Sequence, residues 1–485
     1  MKTLSIECSR ILTSIFGSIL ISSPFIFLLF YIDIEQTVGV ELENHKSEQF
    51  TPKKQEKQKV VKLMQRQQKK PTSVPQSFRS TAISDFGVND FTNLEVKDLA
   101  PVVNAANPSK DTLGATANTE GKKEGLLENA QMKEARKGVP MTLPETMQQR
   151  CGTGKRMARL RSARGKNITE LAIIRGLDWL KANQDSEGSW GGKDRDDEGI
   201  AKPSDKNAMT GMALLAFLGH CELQHSPKYG PTIQKAIKFL TSSSPQPKII
   251  SGVGAYSHPI RAYAICEAYT MTKIDGLEVY VKKATNHIIK GQNQNGGWAY
   301  GYGKGVAAHT DLSVTGWHIQ ALKAAYLTGI KFEGLEKAMG KAIDYVKQCQ
   351  DQSGKFAYKR GSGGKPSLTG TGVLCLQMWK NAESEEAKKG LEWIIANQAK
   401  EWKRVNVYEW YYHAQACFQA TGVSGGARFW RAWNKDFQQI VCEAQDTDGH
   451  WPHGAHYHGD TDIYRKSMTI LMLEVFYRYM PTNKT

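Results

Sequence analysis

One phrase recurs along the second half of the chain and limits the possible folds more than any other feature. It consists of an apolar helical stretch, a Gln, two to four polar residues and then usually Gly, any residue and an aromatic residue. Self-similarity at a period of about 50 residues indicates one supersecondary unit copied in space. The good copies carry their Gln and aromatic residue at Gln184 and Trp190, Gln292 and Trp298, Gln350 and Phe356, and Gln445 and Trp451.

Two weaker copies complete the series. One keeps Gln398 and ends at Trp402, and the other, at 236–246, keeps only the helical part. The phrase then counts six units, and each is followed by a second apolar run. The first helix of a unit carries charges on one face, whereas the second is apolar on nearly all sides. The first is therefore predicted to face solvent and the second to be buried.

Twelve helices that alternate between these two types predict an all-α fold. Six outer and six inner helices would form an α/α toroid, a closed ring whose inner helices surround an axis. The toroid is predicted for residues 166–485. The repeat does not decide whether the axis is an open cavity or a packed core.

The chain before the toroid divides into three predicted segments. Residues 1–10 are a short N-terminus with Lys2 and Arg10, and residues 11–32 contain no charge and are long enough to cross a bilayer as a helix. Residues 33–165 are rich in Lys, Gln and Pro and contain no Tyr or Trp. Such a stretch buries too little apolar surface to fold, which predicts a disordered linker.

The charges that flank residues 11–32 predict an orientation. Basic residues precede the span and acidic residues follow it. A single-pass protein with a cytoplasmic N-terminus and an extracytoplasmic, periplasmic toroid is therefore expected, with the membrane as a partner. A cleaved signal peptide is the alternative.

Charge and cysteine content narrow the function classes. The net charge of +16 is divided equally between the predicted toroid and the residues before it, because residues 166–485 carry 39 basic and 31 acidic side chains, a net charge of +8. No nucleic-acid motif accompanies this charge, so nucleic-acid binding is not inferred. The eight Cys form no Cys-x-x-Cys pair, and buried, reduced thiols are expected on the predicted helices, at Cys221, Cys266, Cys349, Cys375, Cys417 and Cys442.

The repeat phrase resembles the Gln-Trp motif of squalene and terpenoid cyclases, which protein prenyltransferase β-subunits share more loosely. The resemblance covers about residues 168–480. It implies an α/α toroid in which Gln bonds to helix ends and Trp stacks across the loop, so the phrase itself is structural. As a function it implies an apolar, isoprenoid-type ligand in the ring, with catalysis an open question.

Class II terpenoid cyclases use an Asp-x-Asp-Asp acid, and that string occurs here at residues 194–197. A carboxylic acid strong enough to protonate an alkene needs an apolar cavity, and this string lies in a charged loop. A second hypothesis for this loop is a calcium site, and a solvated surface loop is the default. The calcium hypothesis uses EF-hand-like positions at Asp194, Asp196, Glu198 and Asp205.

The resemblance to prenyltransferases implies three zinc ligands: an Asp, a Cys two residues later and a His. The matching stretches are Asp311-Leu312-Ser313, followed by Trp317, and Asp462-Ile463-Tyr464-Arg465. Ser313 and Arg465 replace the Cys and the His. Zinc-dependent transfer to a Cys acceptor is therefore not expected.

Histidines and carboxylates precede two of the inner helices. A closed ring brings these helix starts together at one end of its axis, which we call the mouth, and the side chains there could hold a divalent metal. The alternative is that these His and Asp side chains bond to loop backbone and cap the helices. We expect this mouth at the end of the ring opposite the Gln and Trp residues. The candidate metal ligands are His309, Asp311, His453, His456, His458 and Asp460. The candidate ligand-binding residues at the mouth are His258, His309, Asp311, Trp317, His456, His458, Tyr464 and Arg465.

Two alternatives to an isoprenoid ligand stay open. The missing family residues favour a non-catalytic interaction scaffold of the cell envelope. A polysaccharide-active enzyme would need a pair of carboxylates in a cleft, for which Glu409 and Asp311 are the candidates. Asp311, Asp462 and Glu409 are the weak catalytic candidates, and no cofactor beyond a possible divalent metal is indicated.

Overall fold

The computed structural model describes residues 143–144, 147, 150–196, 199–202, 204–242, 244–246, 254–302, 309–455 and 460–479. These ranges contain α-helices and no named β-strand. No helix within them has both the length and the apolar character needed to cross a bilayer, and the predicted span at 11–32 lies outside them. The helices are α1 (Thr153–Ser162), α2 (Asn167–Ala182), α3 (Lys206–Gly219), α4 (Gly230–Ser242), α5 (Gly254–Thr272), α6 (Leu277–Lys290), α7 (Leu312–Leu327), α8 (Leu335–Gln348), α9 (Pro366–Met378), α10 (Glu385–Ala396), α11 (Val407–Gln419), α12 (Ala427–Glu443), α13 (Asp462–Leu473) and α14 (Val475–Arg478).

Twelve of these helices form a closed ring of six outer and inner pairs. The inner helices are α3, α5, α7, α9, α11 and α13, and each packs against the next. The ring closes because α13 also packs against α3. The outer helices α2, α4, α6, α8, α10 and α12 surround them. The α/α toroid predicted from the repeat is confirmed.

The two helix types differ in burial as their sequences predict. In α3 every residue from Ala208 to Gly219 is buried, and in α7 every residue from Leu312 to Leu322 is buried. The outer helix α8 buries only one face, with Ala338, Ala342 and Val346 among its buried residues. Apolar positions three to four residues apart place this face against the inner layer.

The Gln of each phrase joins neighbouring units. Gln292 donates through Nε2 to the carbonyl oxygen of Gly296 in its own loop (2.8 Å) and to that of Ala338 in the next outer helix, α8 (2.7 Å). We call this pair of bonds the Gln clamp. The clamp to the next outer helix recurs from Gln184 to Thr232, from Gln350 to Glu386, from Gln398 to Trp433 and from Gln445 to Ala172. Because Ala172 lies in α2, the last copy closes the ring on the first.

The Gly and the aromatic residue of the phrase fit the same joint. Gly296 has a φ of +94°, and a Cβ there would lie 2.1 Å from the carbonyl oxygen of Lys341 in α8. The indole Nε1 of Trp298 donates to the carbonyl oxygen of Ile288 in the last turn of α6 (2.9 Å). The Gly therefore allows the next outer helix to approach, and the buried Trp satisfies the end of its own helix.

A helix absent from the sequence prediction, α1, lies within the predicted linker. Arg156 and Leu160 of α1 are buried, and the Nε atom of Arg156 lies 3.0 Å from a carboxylate oxygen of Glu170 in α2. The boundary at residue 166 is therefore too late. The linker composition hid this helix because only Leu160 and Arg156 are buried, and Arg156 is held by an ion pair that no apolar pattern indicates.

The structure also corrects one cysteine prediction. Cys221 forms a disulfide with Cys151, with their Cα atoms 5.2 Å apart, so it is not a reduced thiol. The bond ties the segment before α1 to the end of α3. The other five predicted thiols, at Cys266, Cys349, Cys375, Cys417 and Cys442, are free and buried.

The clamp geometry predicts unequal effects of two Gly→Ala substitutions. Gly329→Ala adds a Cβ at a positive φ (+79°) in open space. Its cost should be about 1 kcal/mol of unfolding free energy. Gly296→Ala should cost about 3 kcal/mol, because the new methyl group also meets the α8 backbone. Urea denaturation of the two variants measures the difference, and equal losses would contradict the role given to the Gly.

Candidate functional site

The repeat loops and the starts of the inner helices lie at the same end of the ring. The backbone N–H of Asp311 donates to the carbonyl oxygen of Trp298 (3.2 Å), and that of Trp298 donates to the Thr315 hydroxyl (3.0 Å). We call this end the amino-terminal mouth. The expectation that the mouth lies opposite the Gln and Trp residues is wrong, because each loop leads directly into its inner helix.

Side chains of the protein itself cap three inner helices at this mouth. Asp205 accepts from the N–H of Ala208 (2.9 Å) at the start of α3. Asp311 does the same for Ser313 (2.7 Å) at α7, and Asn406 caps α11. At each of these helix starts, at least one of the N–H groups that would attract an anion is therefore already satisfied by a side chain of the protein.

Asp311 lies at the centre of a small hydroxyl network. Its Oδ1 atom also accepts from the hydroxyl of Ser313 (2.5 Å), and its Oδ2 atom accepts from the hydroxyl of Tyr300 (3.3 Å). The Tyr256 hydroxyl lies 2.9 Å from that of Ser313 and 2.8 Å from that of Tyr300. Ser313, at the position of the family thiolate, thus supports the helix cap. His309 is exposed beside this network.

The first residue of the Asp-x-Asp-Asp string, Asp194, is buried and joins two distant segments; we call its hydrogen bonds the Asp194 clasp. Asp194 is 1% exposed. Its Oδ1 atom accepts from the N–H of Ile463 (3.0 Å), and its Oδ2 atom accepts from the hydroxyls of Ser204 (2.7 Å) and Thr461 (2.5 Å). Four donors, including the N–H of Arg195, surround the carboxylate. The group joins the first loop to α13 and closes the ring, which does not suit a proton donor in an apolar cavity.

The other members of the predicted calcium loop serve different purposes. Asp196 accepts from the N–H of Ile200 (3.0 Å) within the loop, and Asp205 caps α3. Asp197 and Glu198 lie outside the described residues. In the part of the chain that the structure describes, no group of three or more His, Cys, Asp or Glu side chains could hold a metal ion.

Arg465, expected from the resemblance to stand where the prenyltransferases have a His, organises the start of α13. Its guanidinium contacts Asp460 (3.1 Å) and Asp462 (2.6 Å), and its Nε atom donates to the Trp451 carbonyl (2.9 Å). Burial raises the pKa of Asp462, but bonds from His450, Lys466 and Arg465 more than offset it and leave the pKa well below its usual range. The candidate catalytic residue Asp462 is therefore held as an anion by two buried cations.

Of the histidine ligands predicted in the stretch just before α13, only His453 lies among the described residues. His453 contacts Asp460 through Nδ1 (3.2 Å), and Arg465 also contacts this ring. His456 and His458 lie outside the described residues. Lys466 is buried beside Asp462 (2.8 Å) and over the Trp179 ring, and burial lowers its pKa to about 8.

Aromatic side chains fill the axis below the mouth. Trp317 of α7 stacks on Tyr411 of α11, with ring centroids 6.1 Å apart. The Oε1 atom of Gln320 accepts from the Tyr411 hydroxyl (3.2 Å), and its Nε2 atom donates to the Tyr412 hydroxyl (3.1 Å). All four side chains are 2% exposed or less. A side chain that lined a water-sized cavity would keep accessible surface, so the axis at this level is a packed core.

The opposite end of the ring is closed by a buried charged cluster that the sequence did not predict. Arg150 contacts Glu267 of α5 (2.5 Å) and donates to the Arg478 carbonyl. Arg478 of α14 in turn contacts Glu267 and the Tyr263 hydroxyl (3.1 Å). These side chains are 0–2% exposed. The only sequence signal was a run of arginines before the predicted toroid, which its linker-like composition obscured.

Two further predicted site residues have local partners. His258 is buried, with Nε2 near the Pro245 carbonyl (3.0 Å) and Nδ1 near the Tyr302 hydroxyl (2.5 Å), and burial lowers its pKa well below the usual range. Glu409 lies 3.8 Å from the Nδ1 atom of His413, and burial raises its pKa to about 7. Tyr464 is half-buried near the mouth.

Comparisons with known proteins agree with this architecture. The family model of the squalene-hopene cyclase C-terminal domain matches residues 155–364. No curated protein matches the chain. The ring, the repeat loops and the family match together define a squalene cyclase-like α/α toroid.

Solved structures with this fold have varied functions. An inactive variant of the alpha-1,6-mannanase GH76A of Salegentibacter sp. HEL1_6 is 11% identical, covers 64% of this chain and 99% of its own, and has a TM-score of 0.50. Cellobiose 2-epimerase from Spirochaeta thermophila DSM 6192 is 13% identical over 67% and 98%, with a TM-score of 0.51. The type II terpene cyclase MstE from Scytonema is 14% identical over 64% and 98%, with a TM-score of 0.42. The likenesses to the mannanase and the epimerase show the fold alone, because the identities are so low.

The clasp predicts that two neighbouring aspartates differ in their contribution to stability. Asp194→Ala should lower the unfolding free energy by about 3 kcal/mol, because it leaves buried donors such as the N–H of Ile463 without an acceptor. Asp196→Ala, the matched control in the same loop, should cost less than about 1 kcal/mol. Thermal and urea unfolding check both. An Asp194→Ala protein as stable as the Asp196→Ala control would show that Asp194 does not stabilise ring closure.

Proposed function

We propose that this protein is a membrane-anchored, non-catalytic toroid that acts as an interaction scaffold on the extracytoplasmic side. The observation that carries the proposal is the packed axis at Trp317, Gln320, Tyr411 and Tyr412. In this ring the inner helices bury a hydrophobic core where an enzyme of the same fold would need space for a substrate. Binding would then use the outer and end surfaces of the ring.

An isoprenoid ligand inside the ring is less well supported. Its apolar tail would have to displace Trp317 and Tyr411, whose stacking crosses the axis between two non-neighbouring inner helices. If the ligand were an isoprenoid diphosphate, its anionic end would meet helix starts that Asp205 and Asp311 already cap. Both losses weigh against this ligand, because buried aromatic contacts and caps each stabilise the folded ring.

The catalytic alternatives lack the required pairs of residues. A glycosidase needs two carboxyl groups that face one cleft. Glu409 shares a helix face with His413, which packs against Trp393 and Trp433 of the outer helices. That face points away from the axis, and the carboxylate of Asp311 is occupied by its helix cap.

The disulfide supports the extracytoplasmic placement that the sequence predicts. Such bonds persist in oxidising compartments and are rare in the cytosol. The bond between Cys151 and Cys221 fastens the segment that leads from the predicted anchor to the ring. A ring outside the membrane, connected through residues 33–142 to a span at 11–32, fits both observations.

Replacing one axial side chain separates a packed core from a ligand site. In the scaffold, Trp317→Ala should lower the unfolding free energy by about 3–5 kcal/mol, because it opens a cavity in the core. Tyr326→Ala on the same helix is the control, since Tyr326 is 46% exposed and should cost about 1 kcal/mol or less.

Native mass spectrometry of the full chain in mild detergent gives the second measurement for this proposal. No stoichiometric lipid should remain bound to the wild-type protein. A retained lipid that is lost in Trp317→Ala, without a large loss of stability, would overturn the proposal in favour of an apolar-ligand protein.

Thiol counting tests the compartment. Protein denatured in the presence of an alkylating agent should react at two more cysteines after reduction than before it. The double variant Cys151→Ser/Cys221→Ser should abolish this difference, whereas Cys417→Ala should keep it. Closure of a loop with a sequence separation of 70 residues should contribute about 4 kcal/mol of stability. Equal counts before and after reduction would contradict an oxidising location.

A further inference from the structure

One joint of the ring lacks the Gln clamp. The second unit, in which α4 should be joined to α6, carries the degenerate copy of the repeat phrase. Its Gln246 is exposed, and no bond from this side chain to α6 occurs among the described residues. The other neighbouring outer helices are joined by the Gln side chains described above. Among the described residues, therefore, no Gln side chain joins α4 to α6.

A groove of about 610 Å³ lies at this joint, on the outside of the ring. Its lining comes from both helices and includes Ile237, Lys238, Leu277, Val279, Tyr280 and Lys283. Val279 is 56% exposed, one of the most exposed large apolar side chains of the described chain. The groove thus combines apolar side chains with one lysine from each helix, and Asp275 is the one acidic residue of its lining.

Polar atoms in the groove have no partner in the described structure. Tyr280 is 6% exposed, and its hydroxyl makes no hydrogen bond among the described residues. The Oε1 atom of Gln224, which also lines the groove, has none either. A buried donor and a buried acceptor without partners indicate a missing ligand that offers both, as a peptide backbone does.

We propose that residues 89–103 of this same chain dock in the groove between α4 and α6. Their sequence, NDFTNLEVKDLAPVV, contains three acidic residues and one basic residue among apolar ones. Phe91 is the only aromatic residue in 87–178. The acidic side chains complement Lys238 and Lys283, and Phe91 supplies an apolar anchor beside Val279.

The connection between this segment and the ring favours an intramolecular contact. Forty residues separate Val103 from Leu143. A flexible chain of that length has a root-mean-square span of roughly 35 Å. Its effective concentration at the groove is on the order of millimolar, so a weak site would still be occupied. The Lys-rich stretch at 51–70 would be repelled by the same lysines. The acidic stretch at 33–50 is joined to the ring by a much longer chain, so its effective concentration at the groove is lower, which favours residues 89–103.

A photo-crosslinking amino acid placed at Phe91 of the full chain tests the docking. Crosslinks identified by mass spectrometry should concentrate on α4 and α6, near Ile237 and Val279. The same probe at Leu126, in the same predicted linker, is the control and should give no such concentration. Val279→Glu should reduce the position-91 crosslinks while leaving the circular dichroism spectrum and melting temperature unchanged, because Val279 is largely exposed.

A charge exchange distinguishes specific docking from non-specific association. Lys283→Glu should lower the crosslink yield about fivefold, equivalent to about 1 kcal/mol. Adding Glu95→Lys and Asp98→Lys to this variant should restore the yield, whereas the same two changes on the wild-type ring should lower it.

Three outcomes would overturn the proposal. The first is that crosslinks from position 91 do not differ in location from those at position 126. The second is that they join differently labelled copies in a mixed preparation, which would make the occupant a second chain. The third is that they map to another protein. None of these results bears on whether the axis is packed, so the proposed scaffold function stands or falls separately.

Discussion

The Gln clamp is the interaction on which the rest of the ring depends. A complete clamp satisfies two carbonyl groups that would otherwise lie unbonded where a loop meets the next outer helix, and at Gln292 the adjacent Gly lets the two backbones approach. Gln398 keeps the bond to the next outer helix. Because the last clamp, from Gln445, reaches α2, the same contact that links neighbouring units also closes the circle. A ring built in this way needs no special closing element, only one more copy of the repeat.

Closure at the first and last units adds a polar lock to the repeated joint. Asp194 binds the start of α13, and Arg465 and Lys466 hold Asp462 at the same place. At the other end, Arg150 and Arg478 share Glu267. Buried charges of this kind are costly unless they are paired, and here each has a partner of opposite sign or several hydrogen-bond donors. The acidic and basic residues that resemble catalytic groups in sequence therefore stabilise the ring.

Packing, rather than the presence of particular residues, determines what the axis can do. Trp317 and Tyr411 are residue types that could line an apolar pocket, and the sequence supports that interpretation as well as it supports a core. Their stacking across the ring, with Gln320 bonded between two tyrosines, leaves no space for a ligand at that depth. A groove in the described part of the ring lies where the repeat is degenerate, between α4 and α6.

The sequence by itself determined the all-α class, the six units and the alternation of outer and inner helices, because a repeat fixes periodicity and burial locally. It also predicted that Ser313 and Arg465 stand where a zinc site would need a Cys and a His. Only the tertiary structure decided that Asp194 is a clasp, that α1 packs against the ring and that Cys151 pairs with Cys221. These contacts join residues far apart in the chain, and no local pattern of apolar and polar residues records which distant partner a buried charge or thiol will meet.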